Sequence, residues 1–398
     1  MIDIKTFPIQ LPSNWRHCTI RFVLGVTIFI SGVSFFPYHW CVRDADEWYA
    51  GDVKRQLTLA RGVEYWISRE LSRDDFNTGS RQYNGEWLFG TYLMAGIGFA
   101  QSSLEHPELK ERHSILVTNC IDRLLSAEVR AFDKEVWGDD PLLTLDGPRN
   151  HAAYLGYLNV LLGLHRCLEA KSPYADLNDR ITRALIRRMD AAPMGLLMSY
   201  PNECYPVDNC AVIASIALHA RATGADHGDR LRKCFRRLKD TCTEPKTGLL
   251  YQAVHYQTGE FMDHPRGSGT SLGLYFLAYA DHGLSRVYYE TTKKELISTV
   301  FGFGGAREYP RDIQNGRGDI DSGLVVFGYG LSPTGFLIGG SRIHGDREVF
   351  RRLFATAYAV GAPVERNGAL HFVTGGALGD AILFAMLTAG PERGEKRP

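Results

Sequence analysis

The 398-residue sequence has no surplus of charge of either sign: Lys and Arg together number 45, and so do Asp and Glu. Without a global field or an arginine-rich run, recruitment of nucleic acid is not expected. The eight cysteines, at 18, 41, 120, 167, 204, 210, 234 and 242, form no C-x-x-C pair, and no histidine cluster follows at zinc spacing. A structural metal is therefore not expected. There is no G-x-S-x-G elbow, no P-loop and no G-x-G-x-x-G opening a helix after a strand, and no cofactor is expected. GFGG at 302–305 reads as a turn. Cys120 and Cys167 read as small core residues, whereas Cys204 and Cys210 flank a loop and could pair in an oxidising compartment.

Long apolar runs are scarce, with one exception. Phe22 to Phe36 carries no charge, and the uncharged run continues to Val42, about one membrane span. Lys5, Arg16 and Arg21 precede it, and Asp44, Asp46 and Glu47 follow Arg43. The positive-inside rule then predicts a cytoplasmic segment 1–21, an inner-membrane anchor 22–42 and an extracytoplasmic domain 43–398. A cleaved signal peptide and a buried helix are the alternatives, although bulky Tyr38, His39 and Trp40 leave no small-residue cleavage site.

From Asp52 onward two kinds of helix-sized segment alternate. One is amphipathic and charged: 52–71, 108–131, 175–192, 226–243, 286–300 and 346–360. Within it Leu177, Ile181, Leu185 and Met189 repeat four apart. The other is apolar and rich in Gly and Ala, with starts at 86, 150, 208, 267, 319 and 378. A helix apolar all round must be buried all round. A charged helix plus a buried helix, repeated six times, predicts an all-α (α/α)6 toroid. The only strand signal, 248–263, predicts a hairpin at the rim.

In such a ring the inner helices run in parallel, so their N-termini, with unpaired N–H groups and positive dipole ends, converge on one mouth. The loops entering them carry Tyr83, Glu86 and Trp87; Trp137, Asp139, Asp146 and Arg149; Tyr200, Glu203, Tyr205 and Asp208; Tyr251, His255, Asp263, His264 and Arg266; Tyr309, Asp312, Asp319 and Asp321; and Asp380. Carboxylates can divide acid and base roles when their environments push their proton affinities apart. The bland alternative is that Asp208, Asp319 and Asp380 are N-caps. GDIDSG (318–323) is the sharpest local signal, with two acids at an expected helix start. His165 and His219 read as core or groove residues.

The stretches VWGDD (136–140), LGYLNVLLGLHR (155–166), MSYPNECYPVDNCAVIASIALHAR (198–221) and EPKTGLLYQAVHYQTGE (244–260) resemble the linalool dehydratase/isomerase family. The resemblance implies an (α/α)6 enzyme that removes a tertiary hydroxyl without metal or cofactor, in a ring-shaped homo-oligomer. The family's catalytic histidine falls on Tyr157, its two cysteines on Ser199 and Asp208, and its pocket tyrosine on Ser268. These changes predict a roomier, more acidic pocket.

Three functions follow. The first is cleavage, by hydrolysis or elimination, of a glycan or polyhydroxylated substrate. Asp208 would be the general acid, Glu86, Asp319 or Asp321 the base, and Trp87, Trp137 and Tyr205 the walls. The second is dehydration or isomerisation of an alkenol, with Tyr157 and Asp208 replacing the family's groups. The third is a non-catalytic binding toroid.

Overall fold

The computed structural model describes residues 15–390 apart from Gln314, Asn315 and Arg317. After α1 (Trp15–Val42) and α2 (Ala45–Ala50), the chain makes six helical pairs. The first is α3 (Val53–Ile67) with α4 (Arg81–Glu105). Next come α5 (Lys110–Leu125) and the short α6 (Ala131–Trp137), followed by α7 (Ala152–Leu168). Then α8 (Ala175–Ala191) pairs with α9 (Pro206–Thr223), and α10 (Gly228–Thr241) leads through strands β1 (Tyr251–Val254) and β2 (Phe261–Pro265) to α11 (Gly267–Leu277). α12 (His282–Leu296) is followed by β3 (Ile297–Val300), β4 (Phe303–Ala306), β5 (Val325–Val326), β6 (Tyr329–Gly330) and α13 (Leu331–Ile343). Last come α14 (Arg347–Gly361), β7 (Pro363–Arg366), β8 (Ala369–Phe372) and α15 (Gly376–Leu387).

The inner helices α4, α7, α9, α11, α13 and α15 contact one another in that order, and α15 returns to α4, so the ring is closed. Their burial matches their composition: every residue of α7 from Ala152 to His165 is buried, whereas α8 buries one face through Ile181, Leu185, Arg188 and Met189. Glycine permits the close α7–α9 approach. A methyl group on Gly156 would lie 2.8 Å from Val212 Cγ2, and one on Gly163 would lie 2.8 Å from Leu218 Cβ. Backbones this close exclude water and leave no void, which is how a ring of small residues stays packed. Connections from inner to outer helices are short, and those from outer to inner helices are long. The long connections therefore gather at one end, where loops can carry function.

Three expectations need correction. Among the described residues the strand content is four antiparallel hairpins, all in the long connections, rather than one. The fifth inner helix begins at Leu331, not at 319, so Asp319 and Asp321 lie in a loop. Their segment contains two short strands and glycines with positive φ at 323 and 328, which a helix cannot accommodate. The first inner helix begins at Arg81, which places Glu86 in its second turn.

The apolar run 22–42 lies inside α1, but its last turns belong to the toroid. Cys41 and Val42 are buried, and the Tyr38 ring meets Phe303 edge-on at 5.6 Å. The 16 positions from Phe22 to Pro37 extend about 24 Å as a helix, short of a hydrocarbon core of about 30 Å. Among the described residues no helix is long and apolar enough to cross a membrane. Cys204 and Cys210 are both buried and free.

Candidate active site

Asp208 occupies the first turn of α9, directly after Tyr205-Pro206-Val207. It caps no amide; its carboxyl turns inward and accepts the Tyr157 hydroxyl from α7 at 2.7 Å and the Ser199 hydroxyl. Burial raises its proton affinity above the ordinary aspartate range, and the two hydroxyl donors partly oppose that rise. Burial pushes the Tyr157 phenol far up, and the Asp208 carboxyl beside it adds to the rise, because ionising the phenol would put two negative charges side by side. The family positions Tyr157, Ser199 and Asp208 therefore form one hydrogen-bonded unit.

Glu86, on α4, lies within electrostatic reach of Asp208. Its Oε1 accepts the Tyr200 hydroxyl at 2.8 Å and the Gln82 amide at 3.2 Å. Burial, with smaller contributions from Asp208 and Glu203, pushes its carboxyl up to about 7 against those two donors. Asp321 completes the group from the loop before β5. It is exposed, yet the protein atoms around its carboxyl displace enough water to push it up to about 7, with Glu86 and Asp208 adding to the rise. Gln252 reaches it from β1 at 3.4 Å. Like charges held close together in a low dielectric cannot all ionise, so the three acids titrate as a coupled set.

A fourth acid, Glu308, stands behind this group and was not anticipated. It is 0% exposed, accepts Ser268 Oγ at 2.6 Å and the Ser268 amide at 3.2 Å, and is pushed up to about 7 by burial. Burial alternates along β4 and past its end, with Gly304, Ala306 and Glu308 buried in steps of two, but the strand itself is only four residues long. The same reasoning in β1 turns Gln252 inward and Tyr251 outward.

Several expected site residues have other employment. Asp319 accepts Arg266 and the amides of Asp321 and Ser322, and so shapes the loop. Arg266 also pairs with Asp263 at 2.9 Å and lies 5.5 Å above the Tyr309 ring. Trp137 is buried behind the site, where it donates to the Ser199 carbonyl and packs on His151. Asp139 pairs with Arg149 at 2.8 Å, and Tyr205 donates to Glu203. Trp87 is half-buried and turned edge-on to Phe76. Tyr251 and His264 pack on Phe261 at the outside of the hairpin, and His255 bonds to Thr258 in its turn. Alternation and turn geometry take these three away from the acids. Asp380 is no N-cap; it accepts Trp66, His371 and the Phe372 amide, and ties β8 to α15. His165 and His219 are buried and hydrogen-bonded, at Ser172 and Asp179 respectively. Among the described residues no group of three or more His, Cys, Asp or Glu could hold a metal ion.

A closed double ring of helices with a carboxyl cluster at the inner N-termini defines an (α/α)6 toroid with a candidate acid/base centre. Residues 166–377 match the model of the linalool dehydratase/isomerase family, and the chain belongs to that family. The fold is shared with solved structures of low identity. An unsaturated glucuronyl hydrolase specific for heparin superposes with a TM-score of 0.53 at 9% identity, over 86% of this chain and 97% of that one. An inactive variant of the α-1,6-mannanase GH76A of Salegentibacter sp. HEL1_6, in complex with α-1,6-mannotetrose, gives 0.52 at 13%, over 86% and 98%.

Proposed function

We propose that the toroid is an acid/base enzyme that cleaves a C–O bond in a glycan or polyhydroxylated substrate. The observation that carries this reading is that Asp208, Glu86 and Asp321 lie close enough to influence one another and all have raised proton affinities. Such a set holds protons and negative charge together near neutral pH, as acid/base cleavage requires. Asp208, the most enclosed, gives its proton to the departing oxygen as the C–O bond breaks. Asp321, exposed and eased towards ionisation by Arg266, takes a proton from the attacking water in hydrolysis, or from the neighbouring carbon in elimination. Glu86 and Tyr200 hold the charge between them. The toroid's likeness to two glycan-active structures supports the substrate class at the level of fold only.

The test is a screen of oligosaccharides and aryl glycosides with the wild type and with an Asp208→Asn/Asp321→Asn double variant. Turnover that the double variant abolishes supports the assignment; turnover that survives in it overturns it. Family membership favours a second reading, dehydration or isomerisation of an alkenol at the same Tyr157–Ser199–Asp208 unit. Release of a volatile diene from alkenols, with no activity on glycans, would select it.

We further propose that α1 holds the domain at a membrane. The exposed apolar side chains of α1 and the charge asymmetry around it support this reading. Full-length protein should resist alkaline extraction from membranes, and protein lacking residues 1–37 should not. Equal extraction of both would remove the anchor.

A further inference from the structure

One acid beside the cluster, Glu203, has no part in the proposed cleavage, yet the chain builds a place for it. Tyr200-Pro201-Asn202-Glu203 is a tight turn: the Glu203 amide donates to the Tyr200 carbonyl at 2.9 Å, and Asn202 has φ of 68°. Proline at the second position and asparagine at the third, where φ is positive, suit such a turn. It clips Glu203 next to Tyr200, whose hydroxyl is given to Glu86 at 2.8 Å. The Glu203 carboxyl is held in turn by the Tyr205 hydroxyl at 2.7 Å. Tyr83, one turn before Glu86 on α4, is 39% exposed and lies within electrostatic reach of Glu86, Glu203 and Asp321.

The chain sets no free positive charge against this group. Among the described residues none of Glu86, Glu203, Asp208 and Asp321 forms an ion pair, and Arg266, whose charge reaches Asp321, is itself held by Asp263 and Asp319. The neutral donors that touch the acids are already spent. Tyr157 and Ser199 serve Asp208, Tyr200 and Gln82 serve Glu86, Tyr205 serves Glu203, and the Gln252 nitrogen serves Asp321. Beside Asp321 an acceptor is left over. Gln252 is 6% exposed, and its Oε1 is buried without a hydrogen-bond partner. Gly269 keeps the space beside that oxygen open, since a methyl group there would lie 2.8 Å from it. A buried carbonyl oxygen without a donor is costly, and a bound N–H or O–H removes the cost.

We propose that the site takes a substrate carrying a protonated amine, whose ammonium group sits among Glu86, Glu203 and Asp321 beside Tyr83. An ammonium brings three donors, no acceptor and the missing positive charge. Aromatic rings with carboxyls around them suit such a cation. A hydroxyl in its place would bring a donor without the charge, and a uronate or sulfate would add negative charge to an acidic cluster. The inference rests on the acid/base reading and narrows its polyhydroxylated substrate to one that bears an amine.

The test is calorimetric titration of the full chain at pH 7 with D-glucosamine, D-glucose and N-acetyl-D-glucosamine, which share a ring and differ in charge at one substituent. Glucosamine should bind at least about tenfold more tightly than either neutral sugar, and added salt should weaken it. Glu203→Gln should lower glucosamine affinity by about tenfold. Its melting temperature should stay close to that of the wild type, because Glu203 is exposed. Equal binding of the three sugars, or no binding of glucosamine, would overturn the inference. Neither result touches the cleavage reading, which stands or falls on whether turnover survives in the Asp208→Asn/Asp321→Asn variant.

Discussion

Asp208 and Asp319 stand at the same end of the ring, and the fold uses them in opposite ways. Asp208 is carried by a helix and receives neutral donors only, the hydroxyls of Tyr157 and Ser199. Asp319 is carried by a loop and receives a guanidinium and two backbone amides. A buried carboxyl with neutral partners keeps a proton that it can give away. A carboxyl engaged by arginine and amides is a structural element, whatever its position near a funnel. The lesson is that partner chemistry, more than proximity, separates acids that react from acids that build.

The sharpest way to break this comparison is to exchange each acid for its amide. Asp208→Asn should lower kcat by roughly 10²–10⁴-fold, the usual range for loss of a general acid. Asp319→Asn should change kcat by less than about tenfold and act through KM, because only the loop that presents Asp321 is disturbed. Comparable losses in kcat would show that Asp319 is chemically engaged after all.

Next in size is the pH dependence of stability. Glu308 is fully buried and titrates near 7 when folded, against an ordinary 4.5. The folded state thus holds this proton more tightly than the unfolded chain does. Its contribution is complete below pH 4.5 and is lost as pH rises through 7, in total about 3 kcal/mol. Glu86 and Asp321 act in the same direction. In Glu308→Gln the fall in melting temperature between pH 4.5 and 8 should be visibly shallower. An unchanged slope would mean that Glu308 is not the group responsible.

Smaller again is the effect of Ser268→Ala. Removing the hydroxyl leaves Glu308 Oε1 without its 2.6 Å donor and should cost about 1–3 kcal/mol in thermal or denaturant unfolding. Smallest is Tyr157→Phe. Losing the phenol donor raises the proton affinity of Asp208 further, so the alkaline limb of the kcat–pH profile should move to higher pH. A limb that stays in place would detach Tyr157 from the acid.

The ring was readable because its evidence is repeated. Six runs such as 150–166 are apolar on every side, and only burial within a ring accommodates six of them. Asp208, Glu86 and Asp321 were readable for a related reason, since parallel helices bring their entry segments to one place. Glu308 and Gln252 were hidden because their orientation depends on strands only four residues long, too short for alternation to stand out among glycines. The start of α13 was misplaced for a similar reason: GDIDSG has helix-entry residues, but the turn through Phe327-Gly328 follows it. Tyr251, His255 and His264 were credited to the site on position along the chain, and one step of strand register sends such residues outward.

The seam of the ring also gives assembly an order in time. Gln101, on the first inner helix, donates to the Ala385 carbonyl and the Thr388 hydroxyl, 284 and 287 positions later in the chain. Gly98 leaves room there for the Phe384 ring. While the ribosome is still making the final pair, the flank of α4 has no neighbour to cover it. Folding from the amino end can pair helices and even bring Glu86 near Asp208, but the circle shuts only when the last inner helix arrives. A chain stalled before Gly376 would therefore expose a long apolar edge to chaperones and proteases.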